Sequence, residues 1–394
     1  MREGWVEANL GEVAEWWSGG TPKARESKYY ENGTIPWAVI ADMNKGVIDS
    51  TNSYITEEAL DLIGGRLAPV GSVLISMYAS VGKSAIANVP LATNQAIAWS
   101  IPKQEKIMPF FLYLVSQQLE KTISDLARGA TQRNINRQML REFTFLLPPL
   151  PEQKRIVDLI SSIDSYIEAL QQQLEAAKRS RNAVLHELLT AGGDDWVETT
   201  LGEVALLNPS EPALSDTAHF APMDAVHVGK RWLQYTEERR DRNGARARAG
   251  DVLFARITPC LENGKVAQVQ SELERCGGST EFIVVRGTEK CTSDFLYFWC
   301  TLKVNRDKAA ELMTGTTGRQ RLSWQGLGGL GLWLPSIAEQ ERIVNNISEF
   351  DSLIESTESA ITESQNLRSG LLSDLLSGEH EIPASYDKVI GAAR

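Results

Sequence analysis

The sequence is poor in the groups that carry metal or nucleophilic chemistry. It holds 4 histidines and 4 cysteines in 394 residues. The cysteines (Cys260, Cys276, Cys291 and Cys300) all lie in the second half with no CxxC pair, so zinc spacing is absent and reduced, partly buried thiols are expected. There is no H-E-x-x-H, and no histidine stands where a Ser or Cys triad could form around it. No G-x-G-x-x-G opens a βα unit, which removes a dinucleotide fold built on that turn. "SVGKSAI" (80–86) has the Gly-Lys-Ser of a phosphate loop, but that loop needs a glycine where this chain has Met77. Carboxylate pairs such as Glu57-Glu58 and Asp194-Asp195 read as solvated loops or helix starts. No catalytic residue, metal site or cofactor of its own is expected.

Long apolar runs are missing too. No stretch approaches the roughly 18 apolar residues of a membrane span, and "MREGWVEANL" has no apolar core of signal-peptide length. The expectation is a cytoplasmic protein with no membrane partner. A net charge of −11 argues at first against nucleic acid. The excess is local, however. Residues 334–380 carry 2 basic and 9 acidic side chains, whereas residues 1–147 carry 14 and 15, and residues 192–333 carry 17 and 19.

What the chain does have is repetition. "LPPLPEQKRIVDLISSIDSYIEAL" from Leu147 returns as "LPSIAEQERIVNNISEFDSLIEST" from Leu334, a register of 187 residues. "WVEANLGEVAE" from Trp5 returns as "WVETTLGEVAL" from Trp196, and "GSVLISM" from Gly71 as "GDVLFAR" from Gly250. The length already suggests two or more domains. The repeats make them two copies of one unit of about 190 residues.

Each copy ends in a helix pattern. Ile156, Ile160, Ile163, Ile167, Leu170, Leu174, Ala177, Arg181, Val184 and Leu188 step by fours and threes, a 3.5-residue seam over more than four heptads. The second copy gives Ile343, Ile347, Phe350, Ile354, Thr357, Ile361, Ser364, Arg368, Leu371 and Leu375. Arg181 and Arg368 fall at the same seam position, either fixing register or reaching out to solvent. Two such seams in one chain pack most simply on each other. The bodies read as mixed α and β, with strands expected at 72–78, 96–101, 143–147, 251–257, 282–287 and 331–335. A helix of about 20 residues is expected before the last strand of each copy, around 109–127 and 293–313.

Two polar-basic loops occupy matching places. "ARGATQRNINRQ" (127–138) carries Arg128, Gln132, Arg133, Asn134 and Arg137, and "TGTTGRQRLSW" (314–324) carries Arg319, Gln320 and Arg321. Arg, Gln and Asn present the paired donors and acceptors that match guanine and adenine edges. "ERRDRNGARARAG" (238–250) adds Arg240, Arg242, Arg246 and Arg248, and the turns Gly82-Lys83 and Gly264-Lys265 add two lysines. These fourteen positions are the candidate DNA contacts.

Two variable domains, each followed by an L-P-x-x-x-E-Q-x-R-I-V segment and a heptad helix, resemble the specificity (S) subunit of type I restriction–modification systems. The resemblance runs from "LGEVAEWWSGG" at Leu10 to about Gly378. It implies an α+β fold: two mixed α/β target recognition domains in tandem repeat, separated by two long helices packed as an antiparallel coiled coil, pseudo-two-fold. The expected domains are residues 1–147 and 193–333 for recognition, 148–192 and 334–380 for the spacer helices, and 381–394 as a mobile tail. The resemblance further implies that each domain reads one half of a bipartite, asymmetric site on double-stranded DNA. Two modification subunits carrying S-adenosylmethionine would methylate adenine, and two restriction (motor-nuclease) subunits can join. This chain would be non-catalytic. The residues alone leave open a coiled-coil scaffold with two protein- or ligand-binding domains, which would place apolar or acidic side chains in the matching loops.

Overall fold

The structure, a computed structural model, describes residues 4–129, 134–214, 218–239, 244–316, 318–383 and 385–387. The chain divides into two compact units, Met1–Leu170 with Ala360–Arg394, and Gln171–Ser359. Each unit therefore takes parts of both 41-residue helices, Leu150–Thr190 and Ile337–Ser377.

In the first unit the five-stranded sheet has the order Ala14–Ser18, Ile97–Pro102, Val73–Ser76, Ser84–Ala87, Val47–Ile48. The central strand is buried at all four positions, so it reads as a run of consecutive apolar residues (Val73, Leu74, Ile75) closed by Ser76 rather than as an alternating pattern. A second sheet orders Ser53–Ile55, Ile35–Ala38 and Ala92–Thr93, the last pair parallel. The other unit repeats this plan. Leu206–Leu207, Phe282–Arg286, Val252–Ala255 and Val266–Gln268 form one sheet, and a parallel bridge from Trp232 to Gln268 stands where the fifth strand would be. Its second sheet orders Glu237–Arg239, Ala218–Ala221, Arg275–Gly278 and Ala245–Arg248, again with one parallel pair. Gly71 and Gly250 enter the two central strands at φ +83° and +85°, a conformation that disfavours any residue with a Cβ.

The repeated segments prove to be clamps. Gln153 is fully buried. Its Nε2 donates to the carbonyls of Lys106 and Pro148 (2.8 Å each), and its Oε1 accepts from the Met108 amide at 2.9 Å. Gln340 does the same with the carbonyls of Lys290 (2.9 Å) and Pro335 (3.0 Å) and the Thr292 amide (2.9 Å). One side chain thus ties the start of a long helix to the loop entering the domain's own helix. The "LGEV" turns are capped by their glutamates: Glu12 accepts from the Asn9 amide and Glu203 from the Thr200 amide, 3.2 Å each. The strands before them pair with those preceding the long helices, Val6–Asn9 with Thr144–Leu147 and Val197–Thr200 with Gly331–Leu334.

Within each unit the long-helix segments run antiparallel. Ile156 and Ile160 share a core with Leu372 and Leu375, and Leu185 and Leu189 share the other unit's core with Ile343 and Ile347. Of the expected seam, Ile156, Ile160, Ile167, Ile343, Ile347, Ile354, Ile361 and Leu375 are buried. Ile163, Leu170, Leu174, Phe350 and Leu371 are half-buried. Late in the first helix the buried stripe moves from Val184 and Leu188 to Leu185 and Leu189. A straight helix drifts about 20° per heptad against a 3.5-residue pattern, which over four heptads is nearly one residue.

Two expectations are corrected. The helix expected over 293–313 is two, Ser293–Thr301 and Lys303–Glu311, broken where Leu302 turns extended and buried. The Asn305 side-chain Nδ2 donates to the Trp299 carbonyl across the break at 2.9 Å. The counterpart is one helix, Pro109–Gly129. The tail expected to be mobile over 381–394 is docked at Ile382 and Asp387, while residues 384 and 388–394 lie outside the described residues. Ile382 is buried in the first unit's core, and Asp387 accepts a forked pair from Arg155 at 2.9 and 3.0 Å. Apolar anchoring at Ile382 outweighs the chain entropy that favours a free terminus.

Candidate nucleic-acid interface

The two polar-basic loops are held in the same way. The Ile135 amide donates to the Met77 carbonyl at 3.2 Å, and the Leu322 amide to the Arg256 carbonyl at 2.8 Å. Both Ile135 and Leu322 are buried, and Met77 and Arg256 directly follow the central strands. A buried apolar residue pins each loop to the end of a central strand, and the polar residues beside it are left at the surface. Asn134 and Arg137 are exposed. Asn136 caps the short helix Arg137–Arg141 by accepting from the Met139 amide at 2.9 Å. Arg137 lines an open polar groove with Asn9, Glu12, Gln138 and Arg141. Arg128 stands in the last turn of Pro109–Gly129. Gln132 and Arg133 lie outside the described residues.

In the second unit Arg319 is exposed. The Gln320 backbone accepts from the Thr258 amide and donates to its hydroxyl, 3.1 Å each. Arg321 forks onto Glu281 at 2.7–3.0 Å. That hydrogen-bonded guanidinium holds the Glu281 carboxyl below its usual range, outweighing burial. Arg248 meets Glu211 at 2.8 Å, and the Arg246 guanidinium donates to the Glu211 carbonyl at 3.2 Å. Burial raises the Glu211 carboxyl, but Arg286 and Arg248 together win and leave it lowered. Lys265 donates to the Met223 carbonyl at 2.9 Å and faces Asp224 at 3.6 Å. Arg240 and Arg242 lie outside the described residues.

Lys83 follows Gly82 in a tight turn and donates to the Asn44 side-chain oxygen. The Gly82-Lys83-Ser84 run opens the strand Ser84–Ala87, whereas a phosphate loop must open a helix. The structure also brings forward arginines that the sequence reading passed over. Arg256 lines a recess of about 430 Å³ with Arg246, Asn208 and Phe282. Arg66 stacks on Trp17 at 3.6 Å, beside a recess of about 310 Å³ at the corresponding strand pair of the first unit. Arg256 could have been found, because "GDVLFAR" aligns it with Met77, where the first loop docks. Nothing in the sequence marks Arg66. Among the described residues no cluster of three or more His, Cys, Asp or Glu could hold a metal ion, and no helix is long and apolar enough to cross a membrane.

The type I restriction modification DNA specificity domain matches residues 2–179 and again 194–364. This chain belongs to that family. The E. coli EcoR124I/EcoR124II specificity subunit is 30% identical over 189 residues, 45% of this chain and 47% of that one. The MjaIX specificity subunit of Methanocaldococcus jannaschii is matched over 40% of its length, so these two relatives are spanned for about half or less. The EcoKI specificity subunit of E. coli K12 is matched over 95% of its length and 99% of this chain, at 22% identity. Two solved structures share the fold. An S subunit from M. genitalium superposes with TM-score 0.57 at 15% identity, covering 94% of this chain and 96% of that one. A chain from a study of complex assembly and conformational transition in a type I system superposes with TM-score 0.62 at 18% identity, covering 95% and 98%. The tandem α+β architecture of specificity subunits is therefore this chain's own, and the relatives are specificity subunits, not catalytic ones. The unrelated-scaffold reading has no support here.

Proposed function

We propose that this chain reads a bipartite, asymmetric sequence in double-stranded DNA, one recognition domain per half-site, for a type I restriction–modification complex. The observation that carries the proposal is the pair of polar-basic loops pinned to the same strand end in both units, with different side chains in each. A repeated frame with unlike reading surfaces suits a duplex whose half-sites differ. Two modification subunits would bring S-adenosylmethionine and methylate adenine, and restriction subunits would join them, the whole working in the cytoplasm where the DNA is. This chain contributes recognition and positioning but no bond-making group.

The recognition domains are close to neutral, and phosphate neutralisation supplies most non-specific affinity. The chain alone should therefore bind DNA weakly, with phosphate grip coming partly from its partners. Its salt slope should be shallower than that of the full complex. An equally steep slope would refute this division of labour. The deciding experiment is an adenine-methylation map of the host genome with the gene intact and deleted. Loss of one bipartite motif on deletion supports the proposal. An unchanged map, in a strain where the chain co-purifies with a methyltransferase, sinks it.

A further inference from the structure

The two seam arginines are neither frayed nor solvated. Within the second unit, Arg181 forks onto Asp351, Nε to Oδ1 at 2.6 Å and Nη2 to Oδ2 at 3.3 Å. Within the first unit, Arg368 forks onto Asp164 through the same atoms, with Nη2 to Oδ2 at 3.1 Å. The 187-residue register that relates the arginines also relates the aspartates, so one bond is made twice. Both arginines are largely shielded, at 14% and 19% exposure. Each also reaches its domain's own helix. Arg368 donates to the Gln117 side-chain oxygen Oε1 at 3.1 Å, and Arg181 lies 5.7 Å from the Phe298 ring centre.

An apolar seam cannot hold register by itself. A stripe repeating every seven residues meets another such stripe again after a seven-residue slide, so the hydrophobic term nearly repeats. The charges do not repeat. A slide of seven in one direction brings Asp351 to the level of Leu188 and Asp164 to that of Leu375. In the other direction they meet Leu174 and Ile361. Either slide leaves two carboxylates against apolar side chains and two arginines without their forks, a severe cost for half-buried charge.

We propose that the Arg181–Asp351 and Arg368–Asp164 pairs fix the register in which the two long helices pack within each unit. A seven-residue slide is about 10.5 Å along a helix.

The test uses the full chain, whose native cysteines all lie between residues 260 and 300. Ile160→Cys with Leu372→Cys reports the observed register by cross-linking, and Ile160→Cys with Gln365→Cys reports the slid one. In the parent only the first pair should cross-link. Asp164→Leu with Asp351→Leu, which removes the charge penalty for sliding, should raise the second cross-link about tenfold. Exchanging the charges in both pairs (R181D with D351R, R368D with D164R) should restore the parent pattern. If the leucine variant fails to fold, the exchanged variant still decides. The proposal is overturned if the leucine variant cross-links like the parent, or if the exchanged variant shows the slid cross-link.

Discussion

Removing the Gln153 side chain should loosen the first unit as a whole. Gln153→Ala removes the buried side chain that satisfies the Met108 amide and the carbonyls of Lys106 and Pro148. At about 1 kcal/mol for each lost buried hydrogen bond the cost is about 3 kcal/mol. For a unit of about 200 residues each kcal/mol lowers Tm by about 2–4 °C, so a fall of about 6–12 °C is expected. Gln153→Glu should be worse despite its near-identical shape. It loses both donated bonds and sets a carboxylate oxygen against two carbonyl oxygens now 2.8 Å from Nε2. The measurement is calorimetry of the full chain combined with amide exchange, so that loosening is located. Exchange should rise around residues 106–108 and 148–153 and stay unchanged around 290–292 and 335–340, which Gln340→Ala should loosen in turn. A Tm change under about 2 °C for Gln153→Ala, or Gln153→Glu milder than Gln153→Ala, would refute the clamp.

Three further outcomes are expected. Glu281 has a folded pKa below its ordinary value, so its stabilising contribution is present above the unfolded carboxylate range and is lost as pH falls through the lowered value. Glu281→Gln should therefore cost about 0.5–1 kcal/mol by urea denaturation at pH 6, and the difference from the parent should shrink as pH falls below the ordinary carboxylate range; a difference that does not shrink contradicts the Arg321 fork. Burial pushes the Cys276 and Cys291 thiols to about 12 and raises Cys300 further, while Cys260 is only half-buried. Maleimide at pH 8 should label Cys260 first, because the buried thiols are ionised to roughly one part in ten thousand; equal labelling of all four shows that these burials are wrong. Arg137→Ala and Arg319→Ala should each weaken one half-site only, by about 1–3 kcal/mol if the guanidinium meets a base edge. A loss uniform across sequences, with the salt slope reduced by about one, would instead mark a phosphate contact.

The order of segments along the chain settled a good deal. Two copies at a 187-residue register, the central strands "SVLIS" and "DVLFA", and a helix through each Glu-Gln segment are all legible, because a strand buried on both faces carries a run of consecutive apolar residues and a long helix must repeat every three or four residues. The matching of the two polar-basic loops was legible too, since a repeat aligns them whatever they contact. Other features depended on residues far apart in sequence. That Gln153 and Gln340 are clamps rather than surface residues follows only when residues 106–108 and 290–292 are folded against them. Leu302 breaks a helix that its local pattern would continue, because burial of one side chain outweighs one turn of helix. The charge network around Glu211 joins residues from four separate stretches of the chain, so no window of sequence could show that Arg248 is held by a carboxylate. The seam arginines show the division most clearly. Periodicity put Arg181 and Arg368 in equivalent places, but a period is blind to what stands opposite, and only the antiparallel packing set Asp351 and Asp164 across from them.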